Sequence, residues 1–282
     1  MKRALLFLLG LLLAHPTQAA DLKIATWNLE WLTDNAAGLP RDVRPKAAED
    51  VARLRGYAEQ LNADVVAFQE VDGPAIAAQV FPPARYTIHI TRDRVTQRVG
   101  FAVRRDHGFT ANPDLVALSL PEDGARLRSG ADITLRIPTG LLRLLNVHLK
   151  TGCNRDPLAS AHRPQCATLR AQVAPLQGWI AERQREGAPF VILGDFNRQM
   201  DRNDQLLAAL QQAAPLVRAT EQKSNPCWGG APFIDHILAG GAARGWLRTE
   251  TLRVLTYREQ GPEWRERLSD HCPVSVTFQL PE

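Results

Sequence analysis

Six short polar groups of residues stand at the ends of apolar, strand-like runs, and this recurrence limits the folds open to the chain. In order they are Trp27-Asn28-Leu29-Glu30, Gln69-Glu70, Asn146-Val147-His148, Gly194-Asp195-Phe196-Asn197, Ile234-Asp235-His236 and Ser269-Asp270-His271. A strand end is a rigid place from which to project a polar side chain. A chain that sets Asn, Asp, Glu and His at six such ends is suited to gathering them at one rim of a sheet core. Any one group alone is an ordinary strand exit, because Asp and Asn favour turns. The information lies in the ordered set.

Apolar runs predict strands at Lys23–Asn28, Val65–Gln69, Tyr86–Ile90, Val99–Val103, Asp132–Ile137, Leu142–His148, Phe190–Gly194, Asp235–Leu238 and Val274–Gln279. Helical spacing covers Lys46–Leu61, with Val51, Leu54, Ala58 and Leu61 on one stripe, then Ala167–Arg185 and Asn203–Gln212. Asn203 is the expected cap of the last helix, and Pro175 is expected to kink or split the second. Strands and helices mix along the whole length without a composition break, so the chain reads as α/β or α+β. The loops Thr33–Arg44 and Leu118–Gly130 are polar and punctuated by Pro and Gly, as surface excursions are.

The first twenty residues stand apart: Met1-Lys2-Arg3 is basic, Ala4 to Ala14 almost wholly apolar, and Thr17-Gln18-Ala19-Ala20 offers small residues for cleavage. This is the pattern of a secretory signal peptide, residues 1–20, which leaves 21–282 as one expected catalytic domain, secreted or periplasmic. The apolar run falls short of the roughly 20 residues that span a bilayer, so no stable membrane insertion is expected. Loss of Lys2 and Arg3 leaves 32 of the 34 basic residues against 30 acidic ones, too even a balance to argue for nucleic acid by itself. The four cysteines, Cys153, Cys166, Cys227 and Cys272, are read as disulfides, the default in an exported chain. Of the three pairings, Cys153 with Cys166 and Cys227 with Cys272 is preferred, since the first brackets a polar loop. Closing a loop of that size stabilises by roughly 3 kcal/mol on a chain-entropy argument. Zinc ligation lacks its usual spacing.

Hydrolysis of a phosphodiester needs a deprotonated, aimed water and positive charge against the phosphoryl oxygens, and the six groups contain parts for both. Hard cations such as Mg²⁺, or alternatively Ca²⁺ or Mn²⁺, take oxygen ligands of these types. From Ile24 to Phe278 the chain resembles the endonuclease/exonuclease/phosphatase superfamily, most specifically in Val191-Ile192-Leu193-Gly194-Asp195-Phe196-Asn197 and Ser269-Asp270-His271-Cys272-Pro273-Val274. The resemblance implies an α+β fold: two mixed β-sheets packed face to face with flanking helices, a four-layer sandwich with the site at one edge.

Position by position, the resemblance makes Glu70 the principal metal-binding residue, with Asn28 beside the metal and Asp270 in a metal or electrostatic role. Asp195 becomes the group that deprotonates or orients the attacking water, and Asn197 a phosphate contact. His271 contacts a phosphoryl oxygen and Asp235 orients it, while His148 stands near the leaving group. Glu30 shares parity with Asn28 along a strand and is a supporting candidate, whereas His236 has the opposite parity and is expected to face away. Arg94, Arg98, Arg128 and Lys150 are candidate contacts to backbone phosphates, and Trp31 and Trp228 to bases. The leading expectation is an exported, monomeric, metal-dependent nuclease cutting DNA or RNA, with no protein partner. A phospholipid head group or another small phosphoester is the alternative substrate, although no exposed aromatic hairpin for membrane entry is evident. A catalytically silent binding module on the same fold would have lost Glu70, Asp195 or His271.

Overall fold

Strand register explains why residues so far apart in sequence share one rim. The computed structural model describes residues 20–37, 39–121 and 127–281; most of the expected signal peptide, residues 1–19, lies outside them, as do residues 122–126 of the Leu118–Gly130 loop. The strands are β1 (Asp21–Leu32), β2 (Val65–Val71), β3 (Tyr86–Ile90), β4 (Arg98–Arg104), β5 (Phe109–Ala111), β6 (Ala131–Ile137), β7 (Gly140–His148), β8 (Phe190–Asp195), β9 (Leu216–Arg218), β10 (Asp235–Gly240), β11 (Leu247–Val254) and β12 (Val274–Gln279). They form two six-stranded sheets, ordered β11-β12-β1-β2-β4-β3 and β5-β6-β7-β8-β10-β9. Each is mixed: the central pairs β1/β2 and β7/β8 run parallel and the other pairings are antiparallel.

The inner faces meet through Ile24, Val65, Ala67 and Phe101 of one sheet and Leu144, Val191, Leu193 and Ile237 of the other. Helices α1 (Ala48–Leu61) and α2 (Pro74–Val80) cover the outer face of the first sheet, packing Leu54, Leu61 and Ile76 on Trp27 and Phe68. Helices α3 (Pro164–Ala171) and α4 (Val173–Glu186) cover the second, where Leu176 and Trp179 meet Leu145 and Ile192. These are the four layers implied by the resemblance.

Because side chains alternate along a strand, the inner-facing parity runs Ile24-Thr26-Asn28, Val65-Ala67-Gln69, Leu144-Asn146-His148 and Leu193-Asp195. The layer between the sheets therefore turns from apolar to polar at one end. Its first polar step is a strap: Gln69 Nε2 donates to Asn146 Oδ1 (2.7 Å), and Asn146 Nδ2 donates to the carbonyls of Phe68 (2.8 Å) and Gly100 (2.7 Å). Gly194 allows the close approach above it. Its φ is +139°, and a Cβ there would lie 2.0 Å from the Val147 carbonyl oxygen.

Several local expectations change. The second helix divides at Gln172, not at Pro175. Pro175 occupies the first turn of α4, where a missing N–H removes no helical bond. Gln172 instead accepts from Lys150 N (2.9 Å) and donates to the Leu118 carbonyl (2.9 Å). The cap of α5 (Gln205–Gln211) is Asp204, whose carboxylate accepts from the amides of Leu206 and Leu207, and not Asn203. The cysteine pairing, by contrast, is the expected one: Cys153 is bonded to Cys166 and Cys227 to Cys272. No described helix is long and apolar enough to cross a membrane.

Candidate active site

Asp195, the last residue of β8, lies opposite His148 of β7 on one side and Asp235 of β10 on the other. Asn28 of β1 pairs with Gln69 of β2, which sets Glu70 one residue beyond. The rims of both sheets thus converge. Asn28 Nδ2 bridges them, donating to Glu70 Oε1 (3.2 Å) and Asp195 Oδ2 (3.1 Å). Its Oδ1 accepts from the Glu30 amide (2.9 Å). Glu70 Oε2 accepts from Trp31 N (3.1 Å).

Asp195 is fully buried, and its remaining contacts are donors: Asn197 N (2.7 Å) to Oδ1 and Asn197 Nδ2 (3.0 Å) to Oδ2. Burial pushes its pKa up to about 7; the cationic His271 pulls the other way, and Asp235 and Glu70 push it up further. His271 Nδ1 bonds Asp235 Oδ2 (2.8 Å), while its Nε2 stands 3.8 Å from Asp195 Oδ2 and 3.7 Å from Asp270 Oδ1. Burial alone would favour the neutral imidazole, but Asp235 and Asp195 outweigh it and hold the pKa well above the ordinary histidine value. His148 is the opposite case. Burial, then Arg128, His271 and Lys150, keep its pKa well below normal. Its Nε2 lies 3.5 Å from both Glu70 Oε1 and Asp195 Oδ2, and Arg128 Nη2 sits 2.9 Å from each ring nitrogen, over the ring face. One centre therefore holds a cationic histidine, a neutral histidine and a carboxyl able to take a proton near neutrality.

The remaining candidates divide. Arg128 is drawn into the cluster, and Lys150 is near enough to repel a proton from His148. Arg94 is exposed and Arg98 lays its guanidinium over Gly73; neither contacts the cluster among the described residues. Asn197 reaches the site by a route other than strand parity. The strand ends at Asp195 and Asn197 takes φ +51°, spending its amide on Asp195 and on the Leu149 carbonyl (3.2 Å). Glu30 also departs from strand geometry, with φ +41° followed by Trp31 at +51°. Its Oε2 accepts from Asp270 N (3.2 Å) and faces Lys46 Nζ at 3.6 Å. Burial raises its pKa to about 7, against the pull of Lys46. Lys46 was missed from sequence. The one signal for it is a basic residue just before a helix N-terminus, where the macrodipole disfavours positive charge. His236 faces away, its Nε2 donating to the Arg198 carbonyl (2.8 Å).

The His271 loop is fastened at several points. The Cys227–Cys272 bond ties it to the Trp228 turn, Trp228 Nε1 donates to the Ser269 carbonyl (2.9 Å), and the Tyr257 hydroxyl donates to the His271 carbonyl (2.8 Å). Trp228 stacks on Tyr257 with centroids 5.2 Å apart.

Family comparison decides the class. The model of the endonuclease/exonuclease/phosphatase family matches residues 25–271. The chain belongs to that family. It is a phosphoric ester hydrolase, and enzymes of this family use divalent metal ions. No curated protein sequence matches the chain. Among solved structures, truncated TDP2 from Caenorhabditis elegans aligns with TM-score 0.59 at 16% identity, covering 92% of this chain and 98% of that one. TDP2 from D. rerio, complexed with single-strand DNA product, aligns at 0.60 and 17%, over 92% and 99%. The 3' phosphatase NExo from Neisseria, bound to a product DNA hairpin, aligns at 0.57 and 20%, over 91% and 99%. At these identities the likeness is one of fold.

A divalent cation fits the side chains present. Glu30, Glu70, Asp195, Asp235 and Asp270 crowd one rim, and mutual repulsion helps raise the pKa of two of them. Asp235 Oδ1 is buried with no hydrogen-bond partner. Glu70, beside Glu30 and Asp270, offers the oxygen donors such an ion takes. One atom each of Asp195, Asp235 and His271 also fall within 4.8 Å of one another, but the 2.8 Å contact makes Asp235 and His271 a hydrogen-bonded pair rather than a ligand set.

Proposed function

We propose that this phosphoric ester hydrolase is an exported nuclease that hydrolyses DNA, and RNA as a secondary substrate, with Mg²⁺, or Ca²⁺ or Mn²⁺ in its place. The observation that carries the reading is the pairing of a buried Asp195 with a cationic His271 across 3.8 Å. A phosphoryl group seated over the open side of this pair meets a base and a charged hydrogen-bond donor side by side. Asp195, with its pKa near 7, takes the proton of the attacking water while the amides of Asn28 and Asn197 hold its carboxylate in place. His271, oriented by Asp235, donates from Nε2 to a phosphoryl oxygen as the water oxygen bonds to phosphorus and the opposite P–O bond breaks. Arg128 adds charge on the same side, and His148, kept neutral, hydrogen-bonds the leaving oxygen, which regains its proton from solvent. Glu70, with Asp270 and Glu30 nearby, would hold the divalent cation, which would supply further positive charge against the phosphoryl oxygens.

The DNA products in the structures of relatives and the basic groups Arg128 and Lys150 support a nucleic-acid substrate. The two disulfides suit an oxidising compartment, as the export reading requires. The test is to incubate the purified mature protein with supercoiled plasmid, RNA or sphingomyelin, in Mg²⁺, Ca²⁺, Mn²⁺ or EDTA. Plasmid nicking that EDTA abolishes is expected. Sphingomyelin turnover without nicking would replace the nuclease reading with the lipid one.

A further inference from the structure

Among the groups that meet at the acidic rim, Lys46 is the least expected. Its side chain is 3% exposed, and it stands two residues before the start of α1. Burial and the helix macrodipole both oppose a positive charge there. Asp50, in the first turn of the same helix, does not offset it, because its carboxylate is held by Arg267 (2.8 and 3.0 Å) and Arg53 (3.2 Å). Lys46 turns toward the site instead. Its amide bonds the carbonyl of Thr33 (2.9 Å), just past the end of β1, which fixes its stem beside the strand that carries Glu30. Nζ donates to the Glu266 carbonyl (2.7 Å) and faces Glu30 Oε2 at 3.6 Å, and the charges of Asp270 and Glu70 also act on it. Glu30 Oε2 in turn accepts from Asp270 N (3.2 Å). A cavity of about 390 Å³, lined by Glu30, Trp31, Lys46 and Arg267, opens beside this contact and gives small ions a route to it.

The charges decide what belongs there. Glu30, Glu70 and Asp270 carry three negative charges when ionised. One divalent cation and one ammonium balance them. A pair of divalent cations would leave the cluster positive beside the cationic His271, where like charges repel. We propose that Lys46 is a positioning residue whose ammonium fills the place that a second divalent cation would take beside Glu30 and Asp270, so that the centre works with a single ion at Glu70. This role rests on the metal-dependent reading of the site. The ammonium also holds Glu30 against the Asp270 amide, and so the His271 loop against the end of β1.

Titration with Mn²⁺, followed by electron paramagnetic resonance, counts bound ions without any turnover. The wild-type protein should bind one Mn²⁺ tightly. Lys46→Gln, which keeps a donor for the Glu266 carbonyl, should bind two, and the pair should show the exchange broadening of neighbouring ions. Its second ion should bind about tenfold or more tighter than any ion the wild-type protein takes beyond the first. Should Lys46→Gln not fold, Lys46→Met carries the same expectation. Glu30→Gln/Lys46→Gln should return the count to one, because the carboxylate that receives the second ion is gone. Two ions in the wild-type protein, one in Lys46→Gln, or two in the double variant would overturn the role of Lys46 and leave the metal-dependent reading standing. No tightly bound ion in the wild-type protein would overturn both.

Discussion

Between the sheets, Ile24, Val65, Leu144 and Leu193 meet with apolar side chains on every side. Two to four residues further along the same strands, Thr26, Asn28, Gln69, Asn146, His148 and Asp195 fill the same layer and are buried as deeply. One half gains free energy from burial, at about 25 cal/mol per Å² of apolar surface. The other half holds desolvated charges and amides that are tolerable only because nearly every polar atom is paired. Departures from regular backbone gather in the second half: Glu30, Trp31, Glu70 and Asn197 all have positive φ, at 41°, 51°, 62° and 51°. Strain at a functional rim is sustained by packing elsewhere, so stability and chemistry should respond to different substitutions along the same strand.

The sharpest break in the comparison is Asp195→Ala or His271→Ala. Either should lower kcat about 10³-fold or more, measured as turnover per folded molecule. Two residues before Asp195, Leu193→Ala should do the reverse. It removes a fully buried side chain at a cost of about 2–5 kcal/mol, read by urea unfolding, with turnover per folded molecule unchanged. Asn146→Leu sits on the boundary and should affect both. It removes the donor to the Phe68 and Gly100 carbonyls and one acceptor of the Gln69 amide, which keeps Thr26 Oγ1 and the Ala67 carbonyl, at about 1–3 kcal/mol. Activity should fall too, as the strap beneath Glu70 is lost.

The smallest effect at neutral pH concerns His236, a buried polar residue on the outer face of β10 that points away from the site. Its pKa falls to about 3, chiefly through burial. The folded state must keep it neutral while the unfolded chain takes up a proton near pH 6.5. Below that pH the unfolded state binds more protons, so stability is lost as pH falls from about 6.5 toward 3, at about 1.4 kcal/mol per pH unit. Melting curves of the wild-type protein should therefore fall more steeply over this window than those of His236→Gln. Parallel curves would show that His236 is not held neutral.

Legibility in the sequence followed the same division. The central strands were readable because continuous apolar runs mark strands covered on both faces. β5 and β9 are three residues each, and β11 (Leu-Arg-Thr-Glu-Thr-Leu-Arg-Val) is an edge strand with a register break and no apolar run, so nothing in periodicity announced them. The ordered strand ends and the family resemblance placed Asn28, Glu70 and Asp195 at one rim, and strand parity turned His236 away, but parity does not describe Glu30, Glu70 or Asn197, which take left-handed backbone where the strands end. The partners of Glu30 were invisible for a different reason: its contacts with Lys46 and Asp270 depend on long-range packing that a local pattern does not carry.

The central claim is that side chains from both sheets surround one divalent-cation-dependent phosphoester-cleaving centre. Anomalous scattering from crystals grown with Mn²⁺ tests it most directly. A single strong peak against the Glu70 carboxylate, lost in Glu70→Gln together with activity, is the expected result. A peak remote from Glu70, or full activity in EDTA with no peak at all, would contradict it.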